Sequence, residues 1–311
     1  MPPLFKKKET IMTNKAIYKP SGKAGEYAKY ACNFYIGCSI GCTYCYNKTG
    51  RFASTLGGNT PTLKKCFKDQ EDAFRIFRKE AHTNLQELQT HGIFFSFTTD
   101  PMLPETRTLT TAALFYCQEH GIPVQILTKD TTWVDEFIYN WNYIVRNLGE
   151  NWNIKLIAFG VSISGAASNE PGASTEQERI DGIIKLHKAG FRTFISFEPV
   201  IKPVVILKAL GETSGHCDLY RIGIDPKIWE YNCSQAKAYT KTYEWMHEMY
   251  KRICQDYTHD KFYLKDSILK ALNIDRCQLT GPQFVPATHT PFSSPSTGAI
   301  LGAALPKGEK S

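Results

Sequence analysis

Two hydrophobic rhythms alternate along most of the chain. Short apolar runs, rich in β-branched and aromatic residues and closed by polar or glycine-bearing turns, occur at Ile93-Phe94-Phe95-Ser96-Phe97, Val124-Gln125-Ile126-Leu127, Leu156-Ile157-Ala158-Phe159-Gly160-Val161-Ser162, Phe191-Arg192-Thr193-Phe194-Ile195-Ser196-Phe197 and Leu219-Tyr220-Arg221-Ile222-Gly223-Ile224. Runs of this kind read as buried strands. Stretches with helical spacing separate them: 72–88 ahead of the first run, then near 108–120, 132–148, 176–189, 203–211 and 234–256. The 176–189 stretch has a clear start signal, because Thr175 is followed three residues on by Glu178, the pattern of a capping box. Strands joined by helices of this length run parallel, since no tight hairpin connects them, and right-handed crossovers then build either a barrel or a doubly wound sheet. Periodicity leaves that choice open.

The ends differ from the middle. Residues 1–27 carry Lys, Gly and Pro without a periodic apolar pattern and read as an N-terminal extension. From 278 to 311 the chain turns Thr-, Pro-, Gly- and Ser-rich, as in Thr288-His289-Thr290-Pro291, a composition that seldom packs, and a mobile C-terminal tail is expected there. Residues 28–277 remain as the folded unit, and a chain of 311 residues suits one barrel-sized core with extensions.

Composition narrows the function classes. The chain is 42% hydrophobic, enough for a large core, yet no run approaches the roughly 18 apolar residues that span a bilayer, so no membrane partner is expected. Met1-Pro2-Pro3-Leu4-Phe5-Lys6-Lys7-Lys8 has charge with no apolar stretch behind it, which does not read as a secretory signal and points to the cytoplasm. A net charge of +7 reads as a solvated surface and names no partner. Ten cysteines are too sparse for a disulfide scaffold, and clustered thiols in a reducing compartment more often bind metal or do chemistry.

Three of them lie at C-x3-C-x2-C in Gly37-Cys38-Ser39-Ile40-Gly41-Cys42-Thr43-Tyr44-Cys45, with Gly37 and Gly41 allowing tight backbone turns. A structural zinc site takes four ligands, and the next candidates, Cys66 and His82, lie beyond finger-like spacing. A cubane iron–sulfur cluster with three cysteine ligands leaves one iron open to a substrate or cofactor. Spacing alone leaves iron–sulfur, three-plus-one zinc and unligated cysteines as alternatives. The other cysteines, Cys32, Cys66, Cys117, Cys217, Cys233, Cys254 and Cys277, show no second C-x2-C, so no auxiliary cluster is expected.

This loop, with an aromatic before its last cysteine, resembles the signature loop of the radical S-adenosylmethionine superfamily. The resemblance extends from about 19 to 272, through Gly22-Lys23-Ala24-Gly25-Glu26-Tyr27-Ala28, Phe97-Thr98-Thr99-Asp100-Pro101, Ile126-Leu127-Thr128-Lys129, Glu170-Pro171-Gly172-Ala173, Phe197-Glu198-Pro199-Val200 and Tyr263-Leu264-Lys265-Asp266-Ser267. These motifs are similar to the DNA-repair-photolyase-like branch related to spore photoproduct lyase. The resemblance implies an α/β fold, a partial TIM barrel of (β/α)6 type, with the cysteine loop after the first strand. It also implies a [4Fe–4S] cluster on Cys38, Cys42 and Cys45, S-adenosyl-L-methionine as cofactor, its reductive cleavage to a 5′-deoxyadenosyl radical, and an electron donor of flavodoxin or ferredoxin type.

Site residues follow from the places that the superfamily uses at strand ends. Tyr44 matches the aromatic that touches the adenine, and Tyr46 lines the same loop. Thr99 and Asp100 would accept from the methionyl amino group, and Lys129 would pair with the methionyl carboxylate. Ser162 and Ser164 share a face by strand alternation and would both point into the barrel. Arg179, in the first turn of the next helix, would reach a carboxylate. Glu198 and Lys265 are the expected catalytic residues, because an acid on a short apolar strand is costly unless it faces a polar cavity or a cation.

Substrate class stays open between nucleic acid, peptide and small molecule. The chain departs from spore photoproduct lyase where that enzyme has its hydrogen-donating cysteine; here the residue is Thr98, whose O–H bond is too strong to donate as a thiol does. The competing class is a non-catalytic iron–sulfur or zinc module that shapes a nucleic-acid-binding surface.

Overall fold

The computed structural model describes residues 16–148, 152–225, 244, 247–252 and 261–275. One sheet of eight strands runs in the order β1-β2-β5-β6-β7-β8-β9-β10. Its strands are β1 (Ile17–Tyr18), β2 (Ala31–Cys32), β5 (Ile93–Phe95), β6 (Val124–Thr128), β7 (Ile157–Ser162), β8 (Arg192–Phe197), β9 (Leu219–Ile222) and β10 (Phe262–Leu264). From β2 to β10 each strand pairs in parallel with its neighbour, and only β1 is antiparallel, to β2. A separate two-stranded ladder, β3 (Tyr35–Ile36) with β4 (Thr62–Leu63), flanks the cysteine loop.

Strand order answers what periodicity left open. Every parallel strand of the main sheet lies beside its predecessor in that sheet, so the winding never reverses, as it must in a doubly wound sheet. Curvature is read from contacts across the interior: the Nη2 of Arg221 on β9 lies 3.1 Å from the Oε1 of Gln125 on β6. In a flat sheet three strand spacings would hold their backbones about 14 Å apart. The molecule is an α/β partial barrel whose edges, β1 and β10, do not pair.

Alternation along the strands sorts residues to the two faces. Ala31, Phe94, Ala158, Phe194 and Leu219 point inward and pack with Tyr27 and Tyr263 as a core inside the barrel. Residues of the other parity, such as Phe95, Ile126, Phe159 and Ile195, pack outward against helices. The outer layer includes α2 (Gln70–Thr83), α3 (Leu85–His91), α4 (Arg107–Glu119), α5 (Val134–Leu148), α6 (Glu176–Lys188) and α7 (Pro203–Thr213), which follow the short α1 (Ala53–Leu56); a further helix, Asp266–Leu272, follows β10. The capping box at the start of α6 is present, with both the Thr175 and Glu178 halves made. Trp133, just before α5, and Trp141 on it are buried in the outer core, whereas Tyr139 and Tyr143 of α5 face solvent.

Two expectations change. The helix expected over 72–88 is broken at Asn84, whose side-chain Nδ2 donates 2.8 Å to the Glu80 carbonyl and whose backbone leaves helical values at φ −115°, ψ 23°. Asparagine competes for helix carbonyls in this way, and the chain restarts as α3. The N-terminal extension is also shorter than the sequence suggested. Residues 16–27 supply β1, a 3-10 turn at Gly22–Glu26 and the buried Tyr27. These contacts are made to residues far along the chain, so no local periodicity announces them. The expected tail 278–311 and most of the 234–256 helix lie outside the described residues.

Candidate active site at the barrel mouth

A cavity of about 440 Å³ opens where the carboxyl ends of the strands meet the cysteine loop. This is the end at which parallel barrels keep their sites. Cys38, Cys42 and Cys45 all line it, as do Tyr44, Tyr46, Thr99, Asp100, Lys129, Ser162, Glu198 and Lys265. Eleven of the thirteen residues singled out from sequence therefore face one space.

The cysteine loop is shaped by its glycines and by the small ladder. Gly37 sits at φ +78°, and a Cβ there would stand 2.5 Å from the Thr60 carbonyl oxygen, so no other residue fits without moving the backbone. The amide of Cys38 donates 3.0 Å to the Gly58 carbonyl, which ties the loop to the segment before β4. On the far side, the Tyr46 hydroxyl and the Asn47 amide both donate to the Phe97 carbonyl after β5. Burial pushes the Cys38 thiol up to about 11, with the nearby Asp100 charge acting the same way. Burial also raises Cys42, against the pull of Lys129. Both are neutral thiols at pH 7.

Asp100 is more occupied than the sequence implied. Its Oδ1 accepts from Met102 N at 3.0 Å and Thr128 Oγ1 at 2.7 Å, and its Oδ2 from Lys129 N at 2.7 Å. The carboxylate therefore latches the end of β5 to the end of β6. Burial raises its pKa although these three donors pull it down. The Lys129 ammonium lies 5.9 Å from the Tyr44 ring centroid, a cation over an aromatic face at the cavity wall.

At the other end, Glu198 and Lys265 meet. The Lys265 ammonium is 2.9 and 2.7 Å from the two Glu198 oxygens and 3.3 Å from Glu26 Oε2. Tyr27 donates to Glu198 at 2.5 Å and lies 2.8 Å from Ser196 Oγ. Burial, then the Glu198 charge, drives the Tyr27 phenol well above its ordinary value, so it is a neutral donor here. Its ring carries Lys265 on it at 4.4 Å and Arg221 at 4.6 Å. Arg221, buried on β9, is depressed to about 10 by desolvation.

Ser164 and Arg179 do not line the cavity. β7 ends at Ser162, so the alternation that placed Ser164 beside it no longer applies. Ser164 Oγ instead donates 3.1 Å to Glu170 Oε1, and Arg179 Nη2 lies 2.5 Å from Glu170 Oε2. Arg179 does reach a carboxylate, but it is one belonging to the chain, behind the cavity wall. Sequence reasoning passed over both Glu170, whose only signal was its place in the Glu170-Pro171-Gly172-Ala173 motif, and Tyr27, which sat in a stretch taken for an extension. Thr98 is also absent from the cavity lining; its hydroxyl donates 2.5 Å to the Tyr35 carbonyl.

Fold and site together define an α/β partial barrel with a three-cysteine loop at the carboxyl-terminal mouth. No protein-family model matches the chain, and no curated protein does. Solved structures of similar fold include a spore photoproduct lyase double mutant with bound AdoMet and dinucleoside spore photoproduct, at 17% identity and a TM-score of 0.48, covering 64% of this chain and 56% of that one. Spore photoproduct lyase complexed with dinucleoside spore photoproduct is similar at 18% identity and a TM-score of 0.48, covering 66% of this chain and 58% of that one. Streptococcus suis SuiB bound to precursor peptide SuiA is similar at 12% identity and a TM-score of 0.48, covering 78% of this chain and 50% of that one. The chain thus spans 50 to 58% of the length of these structures. No helix among the described residues is long and apolar enough to cross a membrane.

Proposed function

We propose that this protein is a radical S-adenosylmethionine enzyme in which Cys38, Cys42 and Cys45 hold a [4Fe–4S] cluster and the barrel mouth holds S-adenosyl-L-methionine. The observation that carries the reading is that three thiols of one loop line the same cavity as the polar strand ends Thr99, Asp100, Lys129 and Ser162. Among the described residues no group of three or more His, Cys, Asp or Glu side chains is arranged to hold a metal ion, the three loop cysteines included, so the reading rests on their spacing and on the cavity they share. Asp100, the carboxylate whose charge bears on Cys38 and Cys42, already accepts three donors from the chain. Three sulfurs with no further cysteine or histidine among the described residues that line the cavity fit a cluster that keeps one iron open better than they fit closed tetrahedral zinc.

When bound and reduced, the group supplies a one-electron cleavage of the sulfonium. The chain's own residues do the rest. Tyr44 offers its ring to the adenine, Lys129 offers a cation to the methionyl carboxylate, and Asp100 holds the β5 and β6 ends in register. Glu198, Lys265 and Tyr27 form the substrate end. Their charges are mutually compensated, which favours a neutral polar group in the substrate; nucleic acid, peptide and small molecules all contain such groups. Thr98, bonded to a backbone carbonyl, does not supply the hydrogen atom. Reductant would come from a flavodoxin- or ferredoxin-type donor in the cytoplasm, the compartment that suits clustered free thiols.

The test is anaerobic reconstitution with iron and sulfide. The expected result is close to four irons per chain, lost in Cys38→Ala, Cys42→Ala and Cys45→Ala and kept in Cys66→Ala and Cys117→Ala, with slow conversion of S-adenosylmethionine to 5′-deoxyadenosine under dithionite. Stoichiometric zinc with no iron uptake, or a loaded cluster that never cleaves the cofactor, would favour the non-catalytic metal module instead.

A further inference from the structure

We propose that Glu170 is a positioning residue for the cysteine loop, and that the segment after β7 acts as a clamp that holds residues 38–45 in shape. The two segments meet at four points. The Thr43 amide donates 3.0 Å to the Asn169 carbonyl, and the Gly172 amide donates 2.8 Å to the Ile40 carbonyl. The Tyr44 hydroxyl donates to Glu170 Oε1. Finally, the Pro171 ring stands against Gly41, where an added Cβ would lie 3.3 Å from Pro171 Cγ. There is no slack in the contact, because a Cβ on Gly172 would stand 2.7 Å from the Ser39 oxygen and 3.0 Å from Ile40 Cα.

The clamp is itself fixed. Glu170 is 2% exposed, and its second oxygen is taken by the Arg179 guanidinium at 2.5 Å. Arg179 is fully buried and donates to the Ser174 carbonyl at 2.9 Å and the Ser162 carbonyl at 2.5 Å. A chain of bonds therefore runs from the end of β7 through Arg179 and Glu170 to the Tyr44 hydroxyl. Tyr44 lies between Cys42 and Cys45 in sequence, so a ring held at its far end restrains the backbone that carries both thiols. Gly37 and Gly41, at φ +78° and +74°, make the same loop pliable wherever it is not held. Restraining three ligands in advance lowers the ordering entropy that metal capture must overcome.

The experiment uses metal-free full-length protein and site-resolved maleimide alkylation, read by mass spectrometry. Tyr44→Phe removes only the hydroxyl and leaves the Glu170–Arg179 pair intact. Cys38, Cys42 and Cys45 are expected to react several-fold faster in this variant, with Cys32, Cys117 and Cys217, all buried in the core, unchanged. Gly172→Ala pushes on Ser39 and Ile40 from the clamp side and is expected to give the same selective acceleration. Equal acceleration of all six thiols would overturn the proposal, since the bond would then contribute only global stability. Unchanged rates at the loop in both variants overturn it too. Because no metal is present in the assay, the result is independent of whether the protein assembles a cluster.

Discussion

Glu198 and Lys265 form a two-pronged ion pair in the cavity wall, with both carboxylate oxygens within 2.9 Å of the ammonium. Glu198 sits just past β8 and Lys265 just past β10, so the pair spans the end of β9. Glu26 and Tyr27, from the segment before β2, complete it.

Glu198→Gln tests what that pair does. Lys265 keeps Glu26 as a partner, so its charge is not orphaned, and the amide oxygen still accepts a bond. The fold is expected to persist with a loss of about 1.5–3 kcal/mol in urea denaturation, the range for a hydrogen bond to a charged group. Deoxyadenosine formation per cluster, or its coupling to substrate, is expected to fall at least tenfold. Lower stability with unaltered cofactor cleavage and coupling would make the pair purely structural.

Gly160→Ala probes the packing of the barrel. An added Cβ would lie 2.4 Å from ring atoms of Phe194, one strand over and pointing into the same interior core. Overpacking of that kind costs about 1–3 kcal/mol, and the urea midpoint should fall accordingly. An unchanged midpoint would mean that the Phe194 ring can swing aside.

Stability should decline in alkali, starting near pH 9. Burial raises the thiols of Cys32, Cys117 and Cys217 above the ordinary 9.0, Cys217 to about 12. A group with a raised folded value contributes its full stability below the unfolded value and loses it as pH climbs toward the folded one. Between pH 9 and 12 the unfolded chain releases these protons while the fold keeps them, a slope of about 1.4 kcal/mol per pH unit for each group. Urea titrations of metal-free protein at pH 8, 10 and 11 measure it, and a flat profile would contradict the burial of these thiols.

Lys129→Met separates cofactor binding from cluster assembly. Its cation lies at the cavity wall over Tyr44 and ligates nothing. Loss of a carboxylate partner should weaken S-adenosylmethionine binding about tenfold, or about 1.4 kcal/mol, in equilibrium dialysis, with iron content unchanged. Undiminished affinity would leave Lys129 as a cover for the aromatic ring alone.

Much of this was legible in the amino-acid order because it depends on near neighbours. The C-x3-C-x2-C spacing, the turn glycines within it, the apolar runs of the strands and the capping box of α6 are all set within a few residues. So was the pairing logic of Glu198, since a carboxylate at the end of an apolar strand has to find a cavity or a cation.

Tertiary structure decided what depends on distant partners. Tyr27 acquires its place from Ser196 and Glu198, and Glu170 acquires its place from Tyr44, 126 residues away. The choice of a partial barrel over a doubly wound sheet depended on strand order, which periodicity does not encode. Ser164 turned away from the cavity because β7 ends two residues sooner than strict alternation assumed, Arg179 because Glu170 takes its guanidinium, and Asp100 spent its carboxylate on the β6 end. Residue type and spacing determine which chemistry the chain carries; the direction in which each side chain points is set by long-range packing and buried hydrogen bonds, and these form only when the barrel does.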